Sequence, residues 1–219
     1  LDRAVISSMD ETKAVISMGH GFNQIDHHAA TENGLMVVNT AGVVTLNVAD
    51  HTIMLILSCA RKLVVFNEMV KTGGWRNETH DSIMDDAQTV PAITGSVLGI
   101  VGLGNIGLAT ARRAEALGMR VIGYDPYLPS WIARDNRIEM VDGLLDLARD
   151  SDFVSILIPL SAETRALIDE AFFIEMKPSA YIINTCRGPV VHEPDLIQAL
   201  RKGEIAGAGL DVFEEEPVS

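Results

Sequence analysis

From Ser96 to the end, the chain divides into short runs that are apolar at almost every position, "VLGIV", "MRVIGY", "FVSILI", "AYIIN" and "AGAGLDVF", with longer mixed segments between them. Runs of this length, rich in Val and Ile, read as strands buried on both faces. The mixed segments carry helical spacing from about Asn105 to Leu117, around Gly143 to Arg149, in turns from Glu163 to Met176, and from about Glu193 to Lys202. Strands that alternate with helices require a parallel sheet covered on both sides, because each crossover returns over one face of the sheet. The fold class expected is α/β with a doubly wound parallel sheet.

The earlier part of the chain has a different pattern. Two apolar runs, "AVISMG" (14–19) and "LMVVN" (35–39), are each followed by a glycine or small polar turn and read as strands of a small α/β unit. From Leu46 to about Lys71 neither Gly nor Pro interrupts, and apolar residues cover nearly every face through Leu57. This predicts one crossover helix over 46–71, buried on most sides, as a domain connector or subunit interface. Segment 71–95 is polar, bears glycines and reads as a loop. The division expected is a first unit over 1–45 and a second over 46–219, with no internal repeat at solenoid periods.

Charge narrows the possible partners. The 219 residues include 30 acidic and 17 basic side chains, a formal net charge of −13. Such a field repels a nucleic-acid backbone and an anionic bilayer, so neither is expected as a partner, and any anionic ligand must be held by a local arrangement. The apolar run Ile53 to Leu57 is far short of the ~20 residues of a membrane span. Cys59 in the helical run and Cys186 beside Arg187 fit a reducing compartment, the cytoplasm, better than a disulfide framework. The opening "LDRAV" lacks a methionine and reads as a cut, with no signal or transit peptide visible.

Two places carry chemistry. In "VLGIVGLGNIG", Gly102, Gly104 and Gly107 form G-x-G-x-x-G directly after a predicted strand and at the start of a predicted helix. The first glycine permits a tight turn, the second lets a pyrophosphate approach the backbone, and the third lets helix and strand pack closely. Asp125 ends the next strand, eighteen residues beyond Gly107, where an acid meets a ribose 2′-OH. That carboxylate favours NAD over NADP, and Pro126-Tyr127 offers no arginine for a 2′-phosphate. The bland alternative, a tight βα turn and a strand-end cap, leaves the coincidence of strand, spacing and acid unexplained.

The second place is Arg187, a permanent cation at the carboxyl end of the strand "AYIIN", where doubly wound sheets put their ligands. Its planar fork suits a carboxylate. Gly188 and Pro189 then turn the chain away, so the arginine is expected to point into the crevice; the competing reading is a surface ion pair.

"GLGNIG", "YDPY", "IPLSAET", "MKPSAYIINTCRG" and "AGAGLDVFEEEP", five separated motifs in order, together resemble the D-isomer-specific 2-hydroxyacid dehydrogenase family, from about Ala14 onward. The resemblance implies a Rossmann-type NAD-binding domain over 46–219 and, over 1–45, the remnant of a flavodoxin-like substrate domain. It implies an enzyme that interconverts a D-2-hydroxy acid and its 2-oxo acid by hydride transfer with NAD, and a homodimer built on the crossover helix. Arg187 would bind the substrate carboxylate and polarise the 2-oxo group, and Glu216 would orient a catalytic histidine expected beyond Ser219. Backbone groups near Gly19, His20 and Gly21 would help hold the substrate. Asn105 and Ile106 in the glycine turn, Pro159, Thr164 and Cys186 would line the dinucleotide, and Asp211 would border its nicotinamide side.

The same scaffold serves two runner-up readings, a dinucleotide-sensing corepressor-like protein and a phosphite dehydrogenase; formate dehydrogenases lack the glutamate seen at Glu216. His20 replaces a commonly small residue and His192 stands where the family often has an acid. His20 as a proton donor is set aside, because a loop histidine is ordinarily a plain polar residue. His27, His28 and His51 are read the same way. "HDSIMDD" (80–86) lacks a ligand spacing, so no metal is expected, and Cys186 as a nucleophile is not needed for hydride chemistry.

Overall fold

The computed structural model describes residues 1–19, 21–74 and 91–218. The chain opens with α1 (Arg3–Ser7), β1 (Ala14–Ser17), α2 (His27–Glu32) and β2 (Met36–Asn39). Both short helices start where sequence periodicity is silent but a cap is present: Asp2 accepts the Val5 N–H and Asp26 the Ala29 N–H. β1 and β2 pair in parallel, Ala14 opposite Met36. Ile6, Ile25, Ala29, Ala30 and Leu35 form a small core of their own beneath them.

The single helix expected over 46–71 is two helices, α3 (Thr45–Ala60) and α4 (Leu63–Lys71). Lys62 between them adopts φ 47°, ψ 39°, a left-handed conformation that no α-helix can continue through. Nor is α3 buried on most sides: Ala49, Thr52, Ile56 and Ala60 make one buried stripe, while Leu46 and Met54 are exposed. No residue of α4 is buried, and Leu63, Val64, Val65 and Val70 are all exposed. The apolar composition that suggested all-round burial thus covers one buried face and one open face.

The second unit continues with β3 (Val97–Val101), α5 (Asn105–Ala116), β4 (Arg120–Tyr124), α6 (Ser130–Asp135), β5 (Glu139–Met140), α7 (Leu144–Asp150) and β6 (Phe153–Ile156). It ends with α8 (Glu170–Glu175), β7 (Tyr181–Asn184), a 3₁₀ turn over Gly188–Val190, α9 (Glu193–Lys202) and β8 (Gly207–Leu210). α6 and β5 are absent from the sequence reading; a two-residue strand carries no period to detect. All six strands are parallel in the order β5-β4-β3-β6-β7-β8, so the doubly wound sheet is present.

Two cores sandwich this sheet. Leu147, Ala148, Phe172, Phe173, Leu196 and Ala199 of α7, α8 and α9 pack with Val154, Ile156 and Ile182 on one face. Ile56 and Ala60 of α3 and Ala111 and Ala114 of α5 pack with Leu98, Ile100, Phe153 and Ile183 on the other. Neighbouring strand residues such as Phe153 and Val154 enter opposite cores, which is why these strands read as mostly apolar runs without alternation. Among the described residues no helix is long and apolar enough to cross a membrane. The strand order reverses between β3 and β6, which opens a crevice at their carboxyl ends, where such sheets bind ligands.

Candidate active site at the carboxyl ends of the strands

The three glycines after β3 have three different physical reasons to be glycine. Gly102 has φ +93°, and a Cβ there would stand 2.5 Å from Ile158 Cγ2 and 2.7 Å from the Leu157 carbonyl oxygen. A Cβ on Gly107 would stand 2.2 Å from the Gly102 carbonyl oxygen, so α5 leans directly on the turn. A Cβ on Gly104 would meet nothing within 4 Å. Nothing among the described residues requires Gly104 to be small, so the bare backbone there leaves open space at the turn. Gly104 is also the N-cap of α5 and supplies no side-chain cap. The first N–H groups of this twelve-residue helix, at Asn105 and Ile106, face the crevice end with the positive pole of the helix behind them. The cradle fits a dinucleotide pyrophosphate.

Asp125 follows β4 as the spacing predicts. One carboxylate oxygen accepts the Leu103 N–H at 2.9 Å and the other accepts the Tyr127 N–H at 2.9 Å. It therefore ties the glycine turn to the end of the neighbouring strand, a structural duty that sequence reading did not assign to it. A carboxylate has about four lone-pair sites, so two remain for ribose hydroxyls.

Arg187, half-buried at the end of β7, reaches across to the first unit. Its Nε donates to Asn23 Oδ1 at 3.1 Å and its Nη1 to the Cys186 carbonyl at 2.6 Å. A Cβ on Gly21 would stand 1.6 Å from Nη2, so the guanidinium lies against the bare Gly21 backbone. Gly19 and Gly21 are each held in turn: Ser17 Oγ donates to the Gly21 carbonyl, and the Gly19 N–H donates to Thr40 Oγ1. Among the described residues no carboxylate lies within ion-pairing distance of Arg187, which removes the surface ion pair as its explanation.

The turn that carries Arg187 is set by Asn184, which is 1% exposed. Its Nδ2 donates to the Arg187 carbonyl at 3.0 Å, and its Oδ1 accepts the Cys186 N–H at 3.0 Å. The Cys186 thiol also lies against Asn184 Oδ1, and burial pushes it up to about 11. A thiol so protonated is no nucleophile at neutral pH. Asp211, just past β8, is joined to the same place by its N–H, which donates to the Asn184 carbonyl. Its carboxylate lies 3.2 Å from Nε2 of His51 on α3.

Other expected residues are placed less directly. Thr164 Oγ1 donates to the Pro159 carbonyl at 2.6 Å and accepts the Ser161 N–H, so it shapes the loop after β6. Glu216 is exposed and accepts the Phe213 N–H at 3.0 Å. Its segment is pressed onto the turn beside Arg187, since a Cβ on Gly188 would stand 1.8 Å from the Phe213 carbonyl oxygen. His192 pairs with Asp195 at 2.6 Å. His20 and the "HDSIMDD" segment lie outside the described residues. Among the described residues no group of His, Cys, Asp and Glu is arranged to hold a metal.

Asn23, Asn184 and His51 are site neighbours that sequence reading passed over. The first two carried a signal: an Asn two places after a loop glycine and an Asn closing a strand both favour side-chain to backbone turns. His51 carried none, because only the packing of α3 on β8 brings it to Asp211.

Comparison with known proteins bears on this geometry directly. Residues 53–219 match the family "D-isomer specific 2-hydroxyacid dehydrogenase, NAD binding domain". D-3-phosphoglycerate dehydrogenase of Methanocaldococcus jannaschii is 38% identical over 98% of this chain and 40% of its own length. Glyoxylate reductase of Korarchaeum cryptofilum is 39% identical over 100% of this chain and 64% of its own. The crystal structure of apo D-mandelate dehydrogenase from Rhodotorula graminis superposes with a TM-score of 0.89 at 36% identity, over 100% of this chain and 64% of that one. The chain thus spans 40% to 64% of the length of these three proteins.

The glycine geometry separates two kinds of defect. Gly104→Ala is expected to leave thermal stability unchanged and to weaken NADH binding, read by fluorescence titration. Gly107→Ala is expected to lower stability by ~1–3 kcal/mol through overpacking; equal melting temperatures for the two variants would contradict this. Cys186 should resist iodoacetamide at pH 8 and become labelled only as pH rises towards its value of about 11, as read by peptide mass spectrometry. Its pKa is raised in the folded state. Its contribution to stability is thus intact below the ordinary thiol range and is lost as pH climbs through the folded value.

Proposed function

The chain belongs to the D-isomer specific 2-hydroxyacid dehydrogenase family, and from that premise we propose that the whole protein interconverts a D-2-hydroxy acid and its 2-oxo acid. The observation that carries this is Arg187: a half-buried cation without a carboxylate partner among the described residues, in a chain of net charge −13, at the crevice of a doubly wound sheet. A permanent charge that no carboxylate among the described residues offsets, in an acidic protein, suits an anionic ligand.

NAD, the cofactor of the family, supplies the hydride acceptor or donor when bound. Gly104, Asn105, Ile106 and Gly107 hold its pyrophosphate with backbone N–H groups, Gly102, whose own N–H donates to the Tyr124 carbonyl, makes the turn that presents them, and Asp125 takes the adenosine ribose. Pro159, Thr164 and Cys186 line the path, and Asp211 borders the nicotinamide. Arg187, steadied by Asn23 and the Cys186 carbonyl, offers Nη2 to the substrate carboxylate and offsets negative charge growing on the 2-oxo oxygen. Gly19, His20 and Gly21 complete the carboxylate seat with backbone groups. Glu216 orients the imidazole that exchanges the proton with that oxygen.

Residues 1–45 are proposed to belong to the substrate side and 46–219 to the dinucleotide side, supported by the separate core beneath β1 and β2. A homodimer is proposed as well, supported by the exposed Leu46, Met54, Leu63, Val64, Val65 and Val70 on α3 and α4. Two free cysteines favour a cytoplasmic location, and imaging of the tagged protein in another compartment would overturn it.

In the whole protein, Arg187→Lys is expected to lower kcat/KM for 2-oxo acids by ~10²–10³-fold while leaving the NADH affinity nearly unchanged. Gly21→Ala, which displaces the guanidinium, should act in the same direction; full activity in both variants would refute the seat. NAD should bind more tightly than NADP, and Asp125→Ala should narrow the difference. Tighter NADP binding by the unaltered protein would contradict the role of Asp125. Sedimentation at micromolar concentration is expected to show a dimer, and a monomer alone would remove the proposed interface.

A further inference from the structure

Three consecutive residues of α3 reach three separate parts of the molecule. Asp50 pairs with Arg113 of α5 at 2.6 Å, His51 Nε2 lies 3.2 Å from Asp211 Oδ1 past β8, and Thr52 Oγ1 meets Thr185 Oγ1 past β7 at 2.9 Å. The Thr52–Thr185 contact is buried, and Thr52 also bonds the Val48 carbonyl of its own helix. The neighbours on both sides of His51 are therefore anchored, which fixes the backbone from which the imidazole extends. The next turn of α3 lies directly on β8: a Cβ on Gly209 would stand 3.2 Å from Cys59 Sγ and 3.3 Å from Leu55 Cβ. Only a bare strand lets the helix come this close. That approach brings His51, four residues before Leu55, alongside Asp211, two residues after Gly209.

Asp211 itself is held at its backbone, where its N–H donates to the Asn184 carbonyl. Its side chain is half exposed, and His51 is the group at ion-pairing distance from it among the described residues. The second carboxylate oxygen accepts no hydrogen bond from the described residues. A doubly wound sheet binds a dinucleotide across its two halves. Asp125 belongs to the half of β3 and β4, and Asp211 to the half of β6, β7 and β8. A nicotinamide ring on that second half carries N–H donors only on its carboxamide, so the complement of Asp211 is that amide.

We propose that His51 is a positioning residue for Asp211: it holds one carboxylate oxygen so that the other accepts the carboxamide N–H and sets the orientation of the nicotinamide ring. The inference rests on the reading of this crevice as a dinucleotide site with its nicotinamide beside Asp211. An aspartate side chain without such a partner rotates freely at a half-exposed position and loses that freedom on binding, which weakens its grip on the amide. The pair also gives α3 a part in cofactor orientation that its sequence does not disclose.

The test compares NAD with 3-acetylpyridine adenine dinucleotide, whose acetyl group keeps the carbonyl and lacks the N–H donors. Dissociation constants for both are measured by calorimetry on the whole protein. The unaltered protein is expected to prefer NAD, and His51→Ala to shrink that preference by about fivefold, chiefly by weakening NAD. His51→Gln, which keeps an N–H donor, should retain part of the preference. On an Asp211→Ala background, His51→Ala should change nothing further. His51→Leu replaces His51→Ala if the smaller side chain impairs folding. Equal weakening of both dinucleotides, or an unchanged preference, would overturn the role of His51 and leave the dinucleotide site intact. Equal binding of the two by the unaltered protein would instead reject the placement of the nicotinamide at Asp211, and failure to bind either would reject the dinucleotide reading itself.

Discussion

The close approach of Gly107 to the Gly102 carbonyl, where a Cβ would stand only 2.2 Å away, sets the position of α5 against the sheet. Much else follows from that contact. With α5 drawn onto the turn, its first N–H groups lie at the carboxyl edge of β3. α3 packs on α5 through the same core, with Ile56 and Ala60 beside Ala111 and Ala114. α3 in turn carries Asp50, His51 and Thr52 to Arg113, Asp211 and Thr185. One missing methyl group thus governs where the phosphate cradle lies and where a second helix presents its polar residues.

Charge at the site runs against the charge of the molecule. A net −13 raises the cost of bringing an anion close, yet the crevice gathers a helix N-terminus and an arginine without a carboxylate partner among the described residues. Both are short-range devices. The helix field fades within a turn, and ions screen exposed charges beyond ~8 Å at physiological salt. In the proposed site the long-range field acts on encounter, while affinity would rest on the short-range groups at Gly104, Asn105, Ile106 and Arg187. This division explains how an acidic surface and anion-binding chemistry coexist.

Most of the sheet was legible because it is parallel and buried on both faces: every strand from β3 to β8 except β5 is a mostly apolar run, interrupted only by Arg120, Ser155 and Asn184. β5 and α6 escaped notice because two strand residues and a six-residue polar helix have too little period to register. The break at Lys62 escaped for a different reason. It is a backbone choice of a residue without glycine's freedom, and composition records only the absence of Gly and Pro. In the site, the spacing of Gly102, Gly104, Gly107 and Asp125 was readable because the contacts between them are local or set by one βαβ unit. The Arg187–Asn23 contact joins residues 164 positions apart and the Thr52–Thr185 contact residues 133 apart, and the His51–Asp211 contact likewise spans far more chain than any motif, so packing alone reveals them.

Residues 184 to 187 deserve to be considered as one junction, because each successive residue of this strand end meets a different part of the molecule. The Asn184 carbonyl accepts the Asp211 N–H, and its side chain braces the turn. Thr185 bonds Thr52 of α3, Cys186 lies half-buried against Asn184 and the loop at Ile158, and Arg187 lies on Gly21. An extended chain alternates its side chains across the sheet, so four residues can address both layers and the edge at once. In the proposed reaction, this is the segment where groups facing the nicotinamide and groups facing the substrate carboxylate share one backbone. A shift that moves Arg187 must also strain the Thr52–Thr185 contact and the Asp211 N–H bond. Hydride transfer demands that donor and acceptor carbons be held within a few tenths of an ångström, and a common backbone is the shortest mechanical path for holding two ligands in register.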